Sequence, residues 1–280
     1  MFKRCLSKKG FITLMMATSC LGATAFGETT VTTTQNVRPS LTDKLALSYF
    51  GIFNGPSLTS IDEHKVGSDG KPDGFQNFDS QITLGYRPSK NIVTGAAINF
   101  LAFPVHGEGF TLKDPFLKVS NSKFVDLGAF NVVVDLRAYL PVSTSSQKKN
   151  MLTGLRSTQI TTYDVPGTRL TVAAYTFARY NFYSGTSAGD ATDFSFDISP
   201  FFNYKLSQKV SATLWTDIVQ LNHARGASWG SMQNDPMDVQ PGVNFDITEK
   251  ISLNPFINFL PQNLSLDSSS IGLVINAKAM

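Results

Sequence analysis

Side chains able to do site chemistry are few and widely scattered in this chain of 280 residues. Its three histidines, His64, His106 and His223, have no close metal-ligand spacing to one another. Each falls in a polar stretch or at the end of an alternating one, where a solvated imidazole is the expectation. Asp235 could approach His223 across a loop, the kind of pair a hydrolase uses as a base, but spacing alone does not bring the two together. The run Asp69-Gly70-Lys71-Pro72-Asp73-Gly74 has the Asp and Gly content of a calcium loop. Lys71 stands where an oxygen ligand is needed, so a pair of Asp-Gly turns accounts for it better. Both cysteines, Cys5 and Cys20, lie near the N-terminus, which leaves the rest without a disulfide, a thiolate zinc site or a cysteine nucleophile. No glycine loop able to cradle a phosphate is present. These residues predict no cofactor, no metal and no enzyme.

The remaining chemistry is a set of ionisable residues sharing one phase of alternating segments: Asp79, Arg87, Asp135, Arg137, Arg179, Asp197, Lys205, Asp217, Asp238 and Asp246. Asn77, Gln81, Asn203, Gln240, Asn244 and Asn258 fall on the same side. The stretch before Leu140 shows the pattern: Val132, Val134, Leu136, Ala138 and Leu140 share one face, and Asn131, Asp135, Arg137 and Tyr139 the other. On the same rule Leu170, Val172, Ala174, Ala178, Tyr180 and Phe182 oppose Arg179. A wall carrying both signs of charge either hydrates a channel and orients polar solutes, or cross-links itself into a plug of ion pairs.

Such a wall needs long strands to hold it. Alternation predicts strands over 43–54, 74–87, 91–103, 113–121, 128–141, 155–165, 168–183, 192–205, 209–222, 235–248, 250–260 and 268–279, longer than the ~5 to 6 residues usual in soluble sheets and suited to a tilted bilayer crossing. Every second connection is short: 88–90, the turn near 126–128, 165–167, 206–208 and 248–249. The others, 55–73, 104–112, 142–154, 184–191, 223–234 and 261–267, are longer and polar. An even number of strands puts both ends on the short-turn side, and closure leaves no unpaired edge in hydrocarbon. The prediction is all-β: a single antiparallel up-and-down transmembrane barrel of about twelve strands over 42–280, with short periplasmic turns and longer extracellular loops. Charged side chains then line the lumen, because Arg or Lys on the lipid face costs ~2 to 4 kcal/mol at midplane. Pro200, Pro241 and Pro255 recur in the pattern Pro-x-apolar-Asn-aromatic, and each requires a bulge or bend, since proline removes a ladder donor.

Two stretches precede the barrel. Residues 1–27 combine Lys3, Arg4, Lys8 and Lys9 with an apolar run closed by Ala25-Phe26-Gly27, the layout of a cleaved signal peptide. Ala17-Thr18-Ser19-Cys20 loosely resembles a lipobox, with alanine where leucine is usual. Residues 28–41, polar and Thr-rich, are predicted to be a flexible periplasmic segment. Without the leader, Lys plus Arg falls from 24 to 20 against 21 Asp plus Glu, turning the net charge from +3 to −1. A nucleic-acid partner loses its electrostatic basis.

The last strand, Ser270-Ile271-Gly272-Leu273-Val274-Ile275-Asn276-Ala277, resembles the C-terminal signal of bacterial outer-membrane β-barrel proteins: polar, any, Gly, any, any, hydrophobic, any, hydrophobic. Ser270, Gly272, Ile275 and Ala277 fill the defined positions, and the usual terminal aromatic is absent. The resemblance implies a bacterial outer-membrane location, contact with outer-membrane lipid and lipopolysaccharide, and reading of this strand by the barrel-assembly machinery. Outer-membrane phospholipase, of similar strand number, carries a His-x-Ser-Asn motif; here His223 is followed by Ala224-Arg225-Gly226. The functional expectation is a narrow channel for passive diffusion of small hydrophilic or ionic solutes. A non-conducting adhesion or structural barrel comes second, and a lipid or peptide hydrolase third.

Overall fold

The computed structural model describes residues 44–59, 64–66, 72–104, 109–185 and 191–279. It is a closed 12-stranded antiparallel barrel with 3% helix. The strands are β1 (Leu45–Ser57), β2 (Asn77–Tyr86), β3 (Ile92–Phe103), β4 (Phe116–Asp126), β5 (Phe130–Tyr139), β6 (Met151–Asp164), β7 (Leu170–Tyr183), β8 (Thr192–Lys205), β9 (Val210–Asp217 and Val219–Ala224), β10 (Asp238–Thr248), β11 (Ile251–Asn258) and β12 (Ser270–Lys278). Each pairs with its neighbours in sequence, and β1 closes the ring on β12, from Ser48 opposite Lys278 to Ser57 opposite Ser270. The predicted leader, the 28–41 segment, His106 and Asp69-Gly70-Lys71 lie outside the described residues, and His64 falls in a three-residue strand, His64–Val66, of the first long connection.

Register assigns the two faces without ambiguity. One row of directly paired residues runs Leu84, Ala96, Leu117, Ala138, Leu155, Tyr180, Phe194 across β2 to β8. Leu84, Leu117 and Leu155 are each half exposed or more, at 57%, 53% and 50%. An apolar row wrapping an uncovered surface is what a lipid-facing belt requires. Tyr86, Tyr163 and Tyr204 are exposed toward the short-turn end and Tyr180 and Phe182 toward the long-loop end, the levels where amphipathic rings sit in a bilayer. The belt is most polar on β6, where Ser157, Gln159 and Thr161 share the phase of Leu155, and Gln159 donates to Thr161 at 3.2 Å.

The prolines sit where ladders break. Pro200 lies between the β8 residues that pair with Val210–Asp217 and those that pair with Val219–Ala224, opposite the interruption at Ile218. Pro255 falls in the gap between the Gly242–Phe256 and Phe245–Leu253 pairs, and Pro241 falls just beyond it. On the other side each proline stays in register, Pro200 opposite Ala174, Pro241 opposite Leu214 and Pro255 opposite Leu273. Pro200, Pro241 and Pro255 point out while Asn203, Asn244 and Asn258 point in.

Some boundaries differ from expectation. β6 begins at Met151 rather than 155, and the connection before it holds a short helix, α1 (Thr144–Lys148), capped by the Ser143 side chain. Ser143 is N-cap chemistry that a loop-length argument passes over. The 55–73 connection carries the small His64–Val66 and Pro72–Phe75 hairpin, and Gly109–Leu112 pairs back onto β3 within the 104–112 connection. β4 runs on to Asp126 through a bulge after Asn121.

Candidate functional site: the charged lumen

One step inward from the apolar belt lies a second row of paired residues: Gly85, Gly95, Lys118, Arg137, Arg156, Arg179 and Ser195. Four adjacent strands, β4 to β7, thus set a cation directly opposite a cation. Like charges in direct cross-strand positions repel, so the row needs compensation, and the structure supplies three kinds.

The first is Asp135, 2% exposed. It bonds Arg137 Nε at 2.6 Å and Lys118 Nζ at 2.9 Å, and accepts from Ser120 Oγ at 2.8 Å. The second is aromatic. The guanidinium groups of Arg137, Arg156 and Arg179 lie 4.6, 3.9 and 4.1 Å from the ring centres of Phe116, Phe177 and Tyr139, where the negative ring face attracts a cation. The third is neutral hydrogen bonding: Arg156 donates to Thr158 at 3.1 Å and to the Tyr175 hydroxyl, and Arg179 Nε donates to Asn181 at 2.8 Å. Among the described residues, no carboxylate forms an ion pair with Arg156 or Arg179.

The next three strands carry the opposite sign. Asp197 on β8 accepts from Ser199 at 2.5 Å, and Asp217 on β9 accepts from Trp215 Nε1 at 2.7 Å. Asp217 sits directly opposite Asp238 on β10, which Gln240 approaches at 3.3 Å. Asp197 and Asp238 are each 7% exposed. Between the two arcs Trp215 stacks on Phe201 at 5.1 Å and packs against Tyr175 at 5.5 Å. Seven consecutive strands therefore present a cationic arc followed by an acidic arc. The far wall is largely neutral, with Asp79 held by Lys113 at 2.6 Å.

Of the ten ionisable residues assigned to the lumen from sequence, six come together in these arcs: Asp135, Arg137, Arg179, Asp197, Asp217 and Asp238. Asp79 belongs to the far wall. Lys205 and Asp246 lie near the short-turn end, opposite Ser211 and Ser252. Arg87 follows β2, its N–H bonded to the Lys44 carbonyl at 2.7 Å. Sequence reasoning missed Lys118, Lys113 and Arg156. Lys118 was recoverable, since it alternates with Leu117 and Val119. Arg156 was not, because β6 reads polar on both faces.

At the long-loop end α1 stands over the arc. Asp114 anchors it, accepting from Ser143 N at 2.8 Å and from the Ser146 hydroxyl. Beneath it Phe116, Tyr139 and Met151 form a buried cluster with Tyr183 packed against it, which narrows the lumen. A cavity of about 240 Å³ remains, lined by residues that include Ser145, Lys149, Met151, Arg179 and Tyr183.

His223 is not the solvated loop residue expected. It is 2% exposed, bonded to Asp193 at 2.5 Å and stacked on Trp229 at 4.2 Å. Trp229, from the 223–234 connection, folds back over the ring. Asp235 instead accepts from Asn222 at 2.9 Å. Among the described residues, His223 Nε2 has no hydrogen-bonding partner.

In the last strand Ser270 and Gly272 face the lumen while Ile275 and Ala277 face outward. A Cβ on Gly272 would lie 2.2 Å from the Phe256 ring, so this glycine makes room for a lumen aromatic.

No protein-family model matches the chain, and no curated protein matches it. Solved structures do. An outer membrane channel from Pseudomonas putida F1 superposes with TM-score 0.53 at 10% identity, covering 84% of this chain and 95% of that one. A bacterial polysaccharide outer membrane secretin gives 0.41 at 9% identity, covering 84% and 97%. Outer membrane phospholipase A from Escherichia coli gives 0.36 at 10% identity, covering 85% and 96%. In fold, the chain is a closed twelve-stranded antiparallel β-barrel, similar to that outer membrane channel.

Proposed function

We propose that this barrel is a narrow outer-membrane channel for passive diffusion of small hydrophilic or ionic solutes. The observation that carries this reading is the pairing of charge arcs in the lumen. A closed plug requires its ions to neutralise one another. Here, among the described residues, Arg156 and Arg179 form no ion pair with a carboxylate, and Asp217 and Asp238 face each other instead of a cation. Charge held by ring faces and neutral hydrogen bonds rather than by an opposite charge is stabilised further by water and by passing ions. Adjacent arcs of opposite sign also orient dipolar solutes, which slide with their anionic end toward β4 to β7 and their cationic end toward β8 to β10.

The test is a planar-bilayer recording of the refolded chain in potassium chloride, with reversal potentials under a salt gradient. Discrete conductance steps are expected, with anion preference falling in Arg156→Gln and rising in Asp217→Asn. A correctly folded barrel that stays electrically silent overturns the reading.

A further inference from the structure

The outer face of β6 and β7 carries a block of directly paired residues unlike the rest of the belt: Ser157 opposite Ala178, Gln159 opposite Thr176 and Thr161 opposite Ala174. All have short side chains except Gln159, which is a primary amide. Larger groups bound the block, Leu155 and Tyr180 on its long-loop side and Tyr163 on its short-turn side. Gln159 lies midway along β6 between Leu155 and Tyr163, so its amide sits at the centre of the span, away from the connections at either end.

Hydrocarbon supplies neither donors nor acceptors, so a polar group at this depth needs a protein partner. Gln159 Nε2 donates to Thr161 Oγ1 at 3.2 Å. A primary amide has a second N–H and a carbonyl oxygen besides, and among the described residues neither is hydrogen-bonded within the barrel. Asn121, outward on the same row and opposite Val134, serves its own strand instead, accepting from Lys123 N at 3.0 Å where β4 bulges. Gln159 is thus the amide that this wall presents to whatever lies against it.

The partner has to offer both a donor and an acceptor at the same depth, which acyl chains do not. A second copy of this chain does. Two copies in one membrane share their orientation, so the two-fold axis relating them runs along the bilayer normal and a residue beside it meets its own image. An amide donates and accepts, which makes Gln159 complementary to itself and to the hydroxyls of Thr161 and Thr176. The short side chains around it let two walls approach closely, the condition for association inside a membrane. From this arrangement we infer that the chain forms a two-fold dimer through the outer faces of β6 and β7, with the Gln159 amides hydrogen-bonded across the axis. The inference does not rest on the channel reading, since a silent barrel presents the same outer wall.

The full chain, refolded in a density-matched detergent, is examined by sedimentation equilibrium over a range of protein-to-detergent ratios. A monomer–dimer equilibrium is expected. Gln159→Leu turns the position into an ordinary belt residue and should weaken the dimer about tenfold. Ala178→Leu, which fills the block beside Ser157, should weaken it as well, whereas Ile82→Ala, exposed on the outer face of β2, should leave it unchanged. Heat-dependent gel migration checks that each variant is folded. In outer membranes, a benzophenone photoprobe in place of Phe196, opposite Ala178 at the edge of the block, should cross-link to a second copy. The same probe in place of Phe53 on β1 should not. A monomer at every ratio, a dimer indifferent to Gln159→Leu, or Phe196 adducts only with lipid or with a different protein overturn the inference.

Discussion

Arg137 and Arg156 stand directly opposite each other across the β5–β6 ladder, two permanently charged side chains where cross-strand packing favours opposite signs. Asp135 is what makes this tolerable on one side, since it binds Arg137 and Lys118 together. The partnership leads to the first expectation.

Asp135→Asn should destabilise the barrel by about 3 to 5 kcal/mol, because it leaves half-buried Lys118 and Arg137 without their shared anion. Urea unfolding in lipid or detergent measures it. Adding Arg137→Gln should return a substantial part of the loss, and a double mutant no more stable than Asp135→Asn would contradict the pairing.

The arcs predict opposite selectivity changes from opposite charges. Arg156→Gln should lower the chloride-to-potassium permeability ratio, and Asp217→Asn should raise it. Lys205→Gln, near the short-turn end and away from both arcs, should move the ratio least. Reversal potentials in a salt gradient provide the readout, and a dominant effect of Lys205 would place selectivity at the rim.

Gly272 separates packing from assembly. In spontaneous refolding, where no machinery reads the strand, Gly272→Val should cost about 1 to 3 kcal/mol from overpacking against Phe256. Phe256→Ala in the same chain should relieve it. Cellular assembly of that double mutant then reports whether the glycine is also read as a signal, since the steric burden is gone.

The lipid belt is testable by depth. Leu84→Arg and Leu136→Arg place a guanidinium on the outer face and should each cost about 2 to 4 kcal/mol if near midplane. Thr83→Arg, one position along β2 and turned to the lumen, should cost less. Equal penalties would mean that the faces are wrongly assigned.

Much of this architecture was legible in the alternation of residues such as Leu136, Arg137, Ala138 and Tyr139, since a period of two assigns faces whatever the strand's neighbours. Short turns at 88–90 and 206–208 fixed the connectivity for the same local reason. What was illegible depended on contacts between distant segments. β6 carries hydroxyl or amide groups on both faces, from Ser157 and Thr158 to Thr161 and Thr162, so neither its phase nor the place of Arg156 could be read. The burial of His223 requires Trp229 to fold back over it, a loop conformation that no spacing encodes. The contiguity of the cationic row is a matter of register between strands, which side-chain alternation within one strand does not set.

The closing pair of strands has a consequence for how the chain reaches its folded state. Ser48 meets Lys278 and Tyr49 meets Ala277, so the seam joins the earliest and the latest strands of the barrel. Such a contact has the longest sequence separation in the fold and is the slowest kind to form. Until the last strand is made and delivered, β1 has an open edge that invites pairing with another chain. The ring therefore cannot shut before the last strand is available, and until then the chain must be kept apart from its own copies.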